Sequence, residues 1–375
     1  MKGNDTLKFT CEKTKLVDAL SNVQKAVSQK STIAALEGVL ICATDNSTVE
    51  LCGYNTELGI TTSISATVKT SGKIVLNARL FTEIVRKLPD DLAEISVSEN
   101  LTAKITGGQS YFELVGIEAS EFPTLPTIEN AKCFELSVSE LKSMIRQTVF
   151  AVSESDVNPI HTGTLFEIKD KTITLVSVDG YRLALRQEAI KEDLELGFVV
   201  PGKTLREVLH LLPDSDEVVK ISAGMRHIGF YVGDYSVISR LLEGDFIDYK
   251  STVPEKSKYK ISVCTQDFIE SIERVSLLIT DRLKSPVRCL ISKSNIHVSC
   301  ITGIGKASDE ISVKSNIDEE FEVAFNNKYM IDALKNTDCD EIEIHISGPL
   351  SPIKIVPKKG GSFTFLVLPV RIKAE

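Results

Sequence analysis

Three stretches of this chain, far apart in the sequence, share one design and end in the same way. IVLNARLFTEIVRKLPD, FVVPGKTLREVLHLLPD and VAFNNKYMIDALKNTD each run from an apolar strand into an amphipathic helix, and they end at Asp90, Asp214 and Asp338, 124 residues apart each time. A second trio is LKFTCEKTKLVDAL from Leu7, CFELSVSELKSMI from Cys133 and YKISVCTQDFIESI from Tyr259; Leu16, Leu141 and Phe268 hold one position in it, separated by 125 and 127 residues. A third element, EASEFPTLP from Glu118 and LEGDFIDYKSTVP from Leu242, sets Phe122 and Phe246 124 apart, and the third copy stops in the equivalent strand FTFLVLPVRI. Solenoid units repeat every ~20–50 residues. A period near 125 residues is the size of a whole domain. The chain therefore reads as three tandem copies, residues 1–130, 131–256 and 257–375, joined near 127–132 and 252–258.

Each copy carries two helices and many strands. In the first, residues 12–28 put Leu16, Leu20, Val23 and Val27 on one helical face, and 78–88 does the same with Leu80, Phe81, Ile84, Val85 and Leu88. The corresponding helices fall at 139–151 and 202–212, then at 265–279 and 327–336. Between them lie alternating stretches such as VELCGYNTELGITTSIS, rich in β-branched residues and punctuated by turn pairs such as Gly107-Gly108. A strand–helix–strands pattern occurs twice per copy, so each domain reads as a duplicated half. Two helices can cover only one side of sheets this extensive, which makes the class α+β, with the helices in a layer of their own.

Charge is distributed unevenly over these elements. The six helices carry net charges of +1, +2, +1, +1, −2 and +1 in a chain whose total is −9. An acidic protein of pI 5.3 is not a compact module that grips nucleic acid tightly. A helix layer more basic than its surroundings is either an ordinary solvated face or a surface turned toward a polyanion, held by sparse contacts without base readout. The eight cysteines form no C-x-x-C pair and the five histidines are scattered, so neither a redox motif nor a metal site is expected, and no cofactor. The segment MKGNDTLKFT is polar and no run of ~18 apolar residues occurs. The expected compartment is the cytoplasm.

Catalytic signatures are missing. TGIGKAS at 302–308 lacks the phosphate-loop spacing and sits between two strands, so it reads as a hairpin turn. A stronger hairpin signal is TLVSVDGYRLAL at 174–185, hinged on Asp179-Gly180, where a tight turn needs positive φ at its centre. Tyr181 and Arg182, just past this turn, have no nucleophile, base or metal ligand near them in sequence. They either pack the hairpin against its own domain or form a surface on which something else rests.

VSVDGYRLAL, SEFPTLP, LEGDFIDYKSTVP and LVLPVRI resemble the bacterial sliding-clamp family, the β subunit of the replicative DNA polymerase III, and the resemblance covers essentially the whole chain. It implies three copies of a DNA-clamp fold, each with two helices on one face of antiparallel sheets, making half of a closed ring. The ring is a head-to-tail homodimer that encircles duplex DNA without sequence preference. It is a processivity factor in DNA replication and not an enzyme. A hydrophobic groove between the second and third copies receives short peptides from the polymerase, the clamp loader and other partners.

The residues matching that groove are Gly180, Tyr181, Arg182 and Leu183 from the hairpin, with His161 and Ile247 beside them. The third copy supplies Leu350, Pro352 and Leu366, then Leu368, Pro369, Val370 and Arg371. Apolar groups would accept aliphatic or aromatic anchors, while Arg182 and Arg371 would meet carbonyls or an acid. His161 stands where leucine is usual, Val178 where threonine is common and Ile247 where proline is frequent; Ser251 and Thr252 replace a basic and an apolar residue. The resemblance also implies a dimer contact through Phe112, Leu114, Leu278 and Ile279, and DNA contacts through Lys30 and Arg79; helix charge adds Lys203 and Arg206. Phe112 is equally compatible with an ordinary core position. The competing reading is a β-rich scaffold that binds peptides without encircling DNA.

Overall fold

A computed structural model describes residues 5–44, 47–215, 217–280 and 285–372. It begins with strand β1 (Asp5–Glu12), helix α1 (Lys13–Val23) and strands β2 (Gly38–Ala43), β3 (Thr48–Tyr54) and β4 (Leu58–Ser65). After a short β5 (Thr67–Thr70) the order returns as β6 (Gly72–Asn77), α2 (Ala78–Lys87), β7 (Leu92–Ser98), β8 (Thr102–Gly107) and β9 (Ser110–Val115). The second copy runs β10 (Lys132–Ser137), α3 (Val138–Val149), β11 (Gly163–Lys169), β12 (Thr172–Val178), β13 (Arg182–Ala189), then β14 (Leu196–Pro201), α4 (Gly202–Leu211), β15 (Val218–Ala223), β16 (His227–Val232), β17 (Tyr235–Arg240). A one-turn helix α5 (Tyr249–Thr252) leads into β18 (Tyr259–Cys264), α6 (Thr265–Ser276), β19 (Val287–Ile291), β20 (Asn295–Thr302) and β21 (Gly305–Ser312). A two-residue β22 (Lys314–Ser315) precedes β23 (Phe321–Phe325), α7 (Asn327–Lys335), β24 (Glu341–Ile346), β25 (Ile353–Pro357) and β26 (Phe363–Val367). The half-domain pattern β-α-β-β-β is thus written six times, and the expected internal duplication is present.

Local chemistry sets the helix ends. Asn77 caps α2 by accepting the Leu80 N–H (3.0 Å), and Asn326 caps α7 by accepting those of Lys328 and Tyr329. At the far end of α2, the Lys13 ammonium donates to the Leu88 carbonyl (2.6 Å), one of the groups a helix terminus leaves unpaired. The helix expected over 12–28 stops at Val23 and continues only as a 3₁₀ turn, Gln24–Ala26. The reason is tertiary. The Val23 carbonyl rests against Gly53 of β3, where a Cβ would come within 2.3 Å of it. The helix expected over 265–279 likewise ends at Ser276, so Leu278 and Ile279 lie beyond it.

The strands form antiparallel sheets in two compact units. One comprises residues 1–139 and 207–241, the other 140–206 and 242–375, so the middle copy is divided between them. The first unit contains a five-stranded sheet, β5-β1-β7-β8-β9, and an eight-stranded one, β10-β15-β16-β17-β4-β3-β2-β6. The second contains a nine-stranded sheet, β14-β11-β12-β13-β26-β25-β24-β18-β22, and a four-stranded one, β21-β20-β19-β23. The division follows from the hydrogen bonding. Last strands of different copies pair, β17 with β4 and β13 with β26, and each joint makes one continuous sheet.

Helices press one face onto these sheets. Leu16, Leu20 and Val23 of α1 and Phe81 and Val85 of α2 are buried in the first unit; Phe268, Ile272 and Val275 of α6 and Met330 and Leu334 of α7 are buried in the second. All eight cysteines are free. Burial pushes the Cys11 and Cys52 thiols up to about 12 and about 11, which keeps them protonated and unreactive. Among the described residues no group of three or more His, Cys, Asp or Glu side chains is placed to hold a metal ion, and no helix is long and apolar enough to cross a membrane.

Candidate functional site

The β12–β13 hairpin turns at Gly180, whose φ of 90° only glycine adopts without strain. Asp179 itself has negative φ, so the turn is centred one residue later than the Asp-Gly pair implies. The Asp179 carboxylate does the work of a turn carbonyl: Oδ1 accepts the N–H groups of Tyr181 (2.9 Å) and Arg182 (3.0 Å). The chain thereby enters β13 with Tyr181 at the tip, 62% exposed.

Strand register then lines up the groove. Val178 faces Leu183, Leu183 faces Leu366, and Leu366 faces Lys354, one level across β12, β13, β26 and β25. One level further out, the Leu368 N–H donates to the Tyr181 carbonyl (2.9 Å), placing Leu368 beside the hairpin tip. Because opposed residues share a face, Val178, Leu183 and Leu366 form a common floor, which Val176, Leu185 and Tyr249 complete. Phe246, Ile247 and Val253 pack against this floor as a wall. Leu366 is only 2% exposed, whereas Leu350 (65%), Leu368 (38%) and Val370 (39%) present apolar surface to solvent. Exposed apolar side chains are thus grouped around this one joint.

The remaining groove candidates divide by what they touch. The Arg182 guanidinium is not free: Nε donates to Asp179 Oδ2 (2.9 Å), Nη1 donates to Asp332 Oδ2 of α7 (2.5 Å), and the group lies over the Tyr329 ring. Tyr181 stacks on Tyr329 at 6.0 Å. Arg182 and Tyr181 therefore fasten the hairpin of the second copy to a helix of the third, and the guanidinium that the sequence offered to carbonyls or an acid is already ion-paired within the chain. Arg371 is exposed and makes no ion pair or hydrogen bond within the described residues. His161 sits in a 3₁₀ turn, Pro159–Thr162, with its ring edge-on to Phe246 (6.0 Å), so it supports the wall. The hydroxyls of Ser251 and Thr252 donate back to the Asp248 carbonyl, one turn earlier in the chain. Pro369 is half-buried, and Pro352 precedes β25.

Sequence reasoning missed Tyr249, Glu167, Tyr329, Asp332 and Lys354. Tyr249 lies inside the quoted stretch LEGDFIDYKSTVP, but its direction depends on a one-turn helix that no periodicity announces.

The charged candidates outside the groove are all on the surface. Lys30, Lys203 and Arg206 are exposed and engage no ion pair or hydrogen bond within the described residues; Arg79 is exposed and pairs with Glu83 one turn on (3.2 Å). The third copy differs. Arg274 of its acidic helix pairs with Asp309 (2.7 Å) and Glu270 (3.5 Å), and Lys335 pairs with Glu273 (2.7 Å). Phe112 and Leu114 lie on β9, an edge strand paired only with β8, alongside exposed Tyr111 and Val115. Leu278 lies at the β20–β21 turn, 3.6 Å from where a Gly305 Cβ would stand, and β21 is also an edge. Ile279 instead packs on the core of its own domain, and the neighbouring Leu277 is the exposed one.

Half-domains joined at their last strands, with an apolar trough at one joint, define a clamp-fold protein. Residues 7–126, 135–248 and 250–371 match the family models of the N-terminal, central and C-terminal domains of the DNA polymerase III beta subunit. The Beta sliding clamp of Bacillus subtilis (strain 168) is 36% identical over 377 residues, spanning 97% of this chain and 100% of its own. That of Halalkalibacterium halodurans is 36% identical over 378 residues, spanning 97% and 99%. The crystal structure of the DNA polymerase sliding clamp from Bacillus subtilis matches with a TM-score of 0.94 at 34% identity, over 98% of this chain and 100% of that one. The chain belongs to the DNA polymerase III beta subunit family, the bacterial sliding clamps.

Proposed function

We propose that two copies of this chain close head to tail around duplex DNA as a cytoplasmic, non-enzymatic processivity clamp. Its three domains are residues 1–130, 131–256 and 257–375. The trough at the β13–β26 joint tethers the replicative polymerase, the clamp loader and other partners by short peptides. One observation carries the closure. Of the six strands that end a half-domain, β4, β17, β13 and β26 are paired with one another, while β9 of the first copy and β21 of the third have open edges. Open apolar edges are what chains of this kind must cover. Pairing β9 of one copy with β21 of another covers both, and in a two-membered ring the joint occurs twice.

The repeat also specifies the register of that joint. Strands β4, β13 and β21 are each eight residues long. At the β17–β4 joint Ser239 faces Leu58 and Tyr235 faces Thr62, and Tyr235 stands 124 residues after Tyr111. The same pairing carried to the third joint sets Val115 opposite Gly305 and Tyr111 opposite Asp309. Tyr111→Cys with Asp309→Cys is therefore expected to give a disulfide-linked dimer on mild oxidation. Tyr111→Cys with Ser308→Cys is not, because adjacent strand positions face opposite ways. The reverse pattern, read on a non-reducing gel, would displace the register.

Retention on DNA tests the function itself. Loaded onto a closed circle, the protein is expected to stay through a high-salt wash and to leave once the circle is cut; loss from both alike would favour an open scaffold. The free cations Lys203 and Arg206 are expected to set part of the weak attraction to DNA. Replacing both with Ala should flatten the log-affinity against log-salt slope by up to about 2, roughly 0.9 per phosphate contact. Lys335→Ala should leave that slope unchanged, since its ammonium is paired with Glu273.

A further inference from the structure

The wall of the trough, residues 246–254, has no strand partner among the described residues, yet it packs against the floor. Three polar contacts join it to the sheet. The Tyr249 hydroxyl donates to Glu167 Oε2 of β11 (2.6 Å), the Lys250 ammonium reaches the same oxygen (2.8 Å), and at the far end the Lys354 ammonium of β25 donates to the Pro254 carbonyl (3.3 Å). Tyr249 is the central one. Its ring is 5% exposed among Val176, Val178, Leu183, Leu185 and Leu366, so it is the only wall residue counted within the buried floor cluster. Lys250 is mostly in solvent, and an ion pair there contributes little. Burial pushes the Glu167 carboxyl up, but the hydrogen bonds from Lys250 and Tyr249 outweigh it and hold the group below the usual carboxylate range; Tyr249 is pushed up by burial and by Glu167. Each partner keeps the other in the protonation state the bond needs.

We propose that the Tyr249–Glu167 hydrogen bond is a latch that positions the groove wall, and that these two are positioning residues for peptide binding although neither need touch the peptide. The proposal rests on the groove reading above. Ile247 follows Phe246 directly and is two residues from Tyr249, so the height at which the hydroxyl is held fixes where the apolar rim stands over Leu183 and Leu366. A rim free to drift no longer closes on a peptide anchor. The consequence falls on the dissociation rate, because the latch acts after encounter.

The test uses the full-length dimer and a fluorescently labelled peptide bearing adjacent leucine and phenylalanine anchors. Tyr249→Phe keeps the ring and removes only the hydroxyl; Glu167→Leu removes the acceptor; Glu167→Gln keeps an amide oxygen in its place. Tyr249→Phe and Glu167→Leu are each expected to weaken binding about tenfold, the scale of a hydrogen bond to a charged group. The loss should appear as faster dissociation at an unchanged association rate, and the double variant should be no weaker than either single one. Glu167→Gln should recover most of the affinity. Additive losses, tighter binding by Tyr249→Phe, or no rescue by Gln would each overturn the latch. Leu368→Ala, run in parallel, separates the two readings. If it leaves affinity intact, the groove assignment falls; if it weakens binding while Tyr249→Phe does not, only the latch falls.

Discussion

With Phe112→Asp and Leu278→Asp introduced together, the protein is expected to sediment as a monomer at micromolar concentration while keeping its far-ultraviolet circular dichroism. Phe112 lies on an edge strand that pairs on one side only among the described residues, and Leu278 lies beside the first residue of the other open edge. Two carboxylates desolvated at one joint cost several kcal/mol, and a two-membered ring repeats the joint. These positions are preferable to Ile279, which packs on the core of its own domain, so that a charge there would unfold the domain and confuse the result. Met225→Asp, at an exposed residue that belongs to neither edge strand, serves as the control and should remain dimeric. A doubly substituted protein that still sediments as a dimer would remove this interface from the ring.

Leu368→Ala with Arg371→Ala is expected to reduce affinity for the labelled peptide by at least about a hundredfold and to leave the dimer intact. Leu368 is part of the exposed apolar rim, and truncating a well-buried leucine contact removes roughly 1.5–3 kcal/mol, or about ten- to a hundredfold. Arg371 adds the only guanidinium among the proposed groove residues that has no partner within the described residues, since Arg182 is held by Asp179 and Asp332. The contrast gives a second measurement. Arg182→Ala should lower the thermal midpoint of unfolding, because it leaves the half-buried Asp179 without its counter-charge, whereas Arg371→Ala should not. Equal stability loss for both would mean that Arg182 does not fasten the hairpin. Unchanged peptide affinity in a titration of the Leu368/Arg371 variant would dismiss the groove.

The acidic helix 265–276 shows how a correct count can be incomplete. Its net charge of −2 was plain from the residues, and it set the third copy apart from a basic helix layer. The fold shows that Glu273 is paired with Lys335 on α7 and Glu270 with Arg274 one turn on, so two of the three acidic groups of this helix are already engaged. Which charges are available depends on side chains brought together from far apart, and a count along one helix does not see them.

By itself the sequence determined the number of copies, the halving of each copy, the strand and helix types to within a few residues, and the residues from which a groove could be made. Those features are local, or they recur at a fixed spacing, and period-2 and period-3.6 patterns record them directly. Only the tertiary structure decided which last strands meet, and that pairing divides the middle copy between two units and leaves β9 and β21 open. It alone brought Arg182 together with Asp179 and Asp332, and Tyr249 together with Glu167. The reason is physical: antiparallel pairing and hydrogen bonds between distant side chains depend on register across the joint, and no short stretch of sequence encodes register between residues as far apart as Leu183 and Leu366.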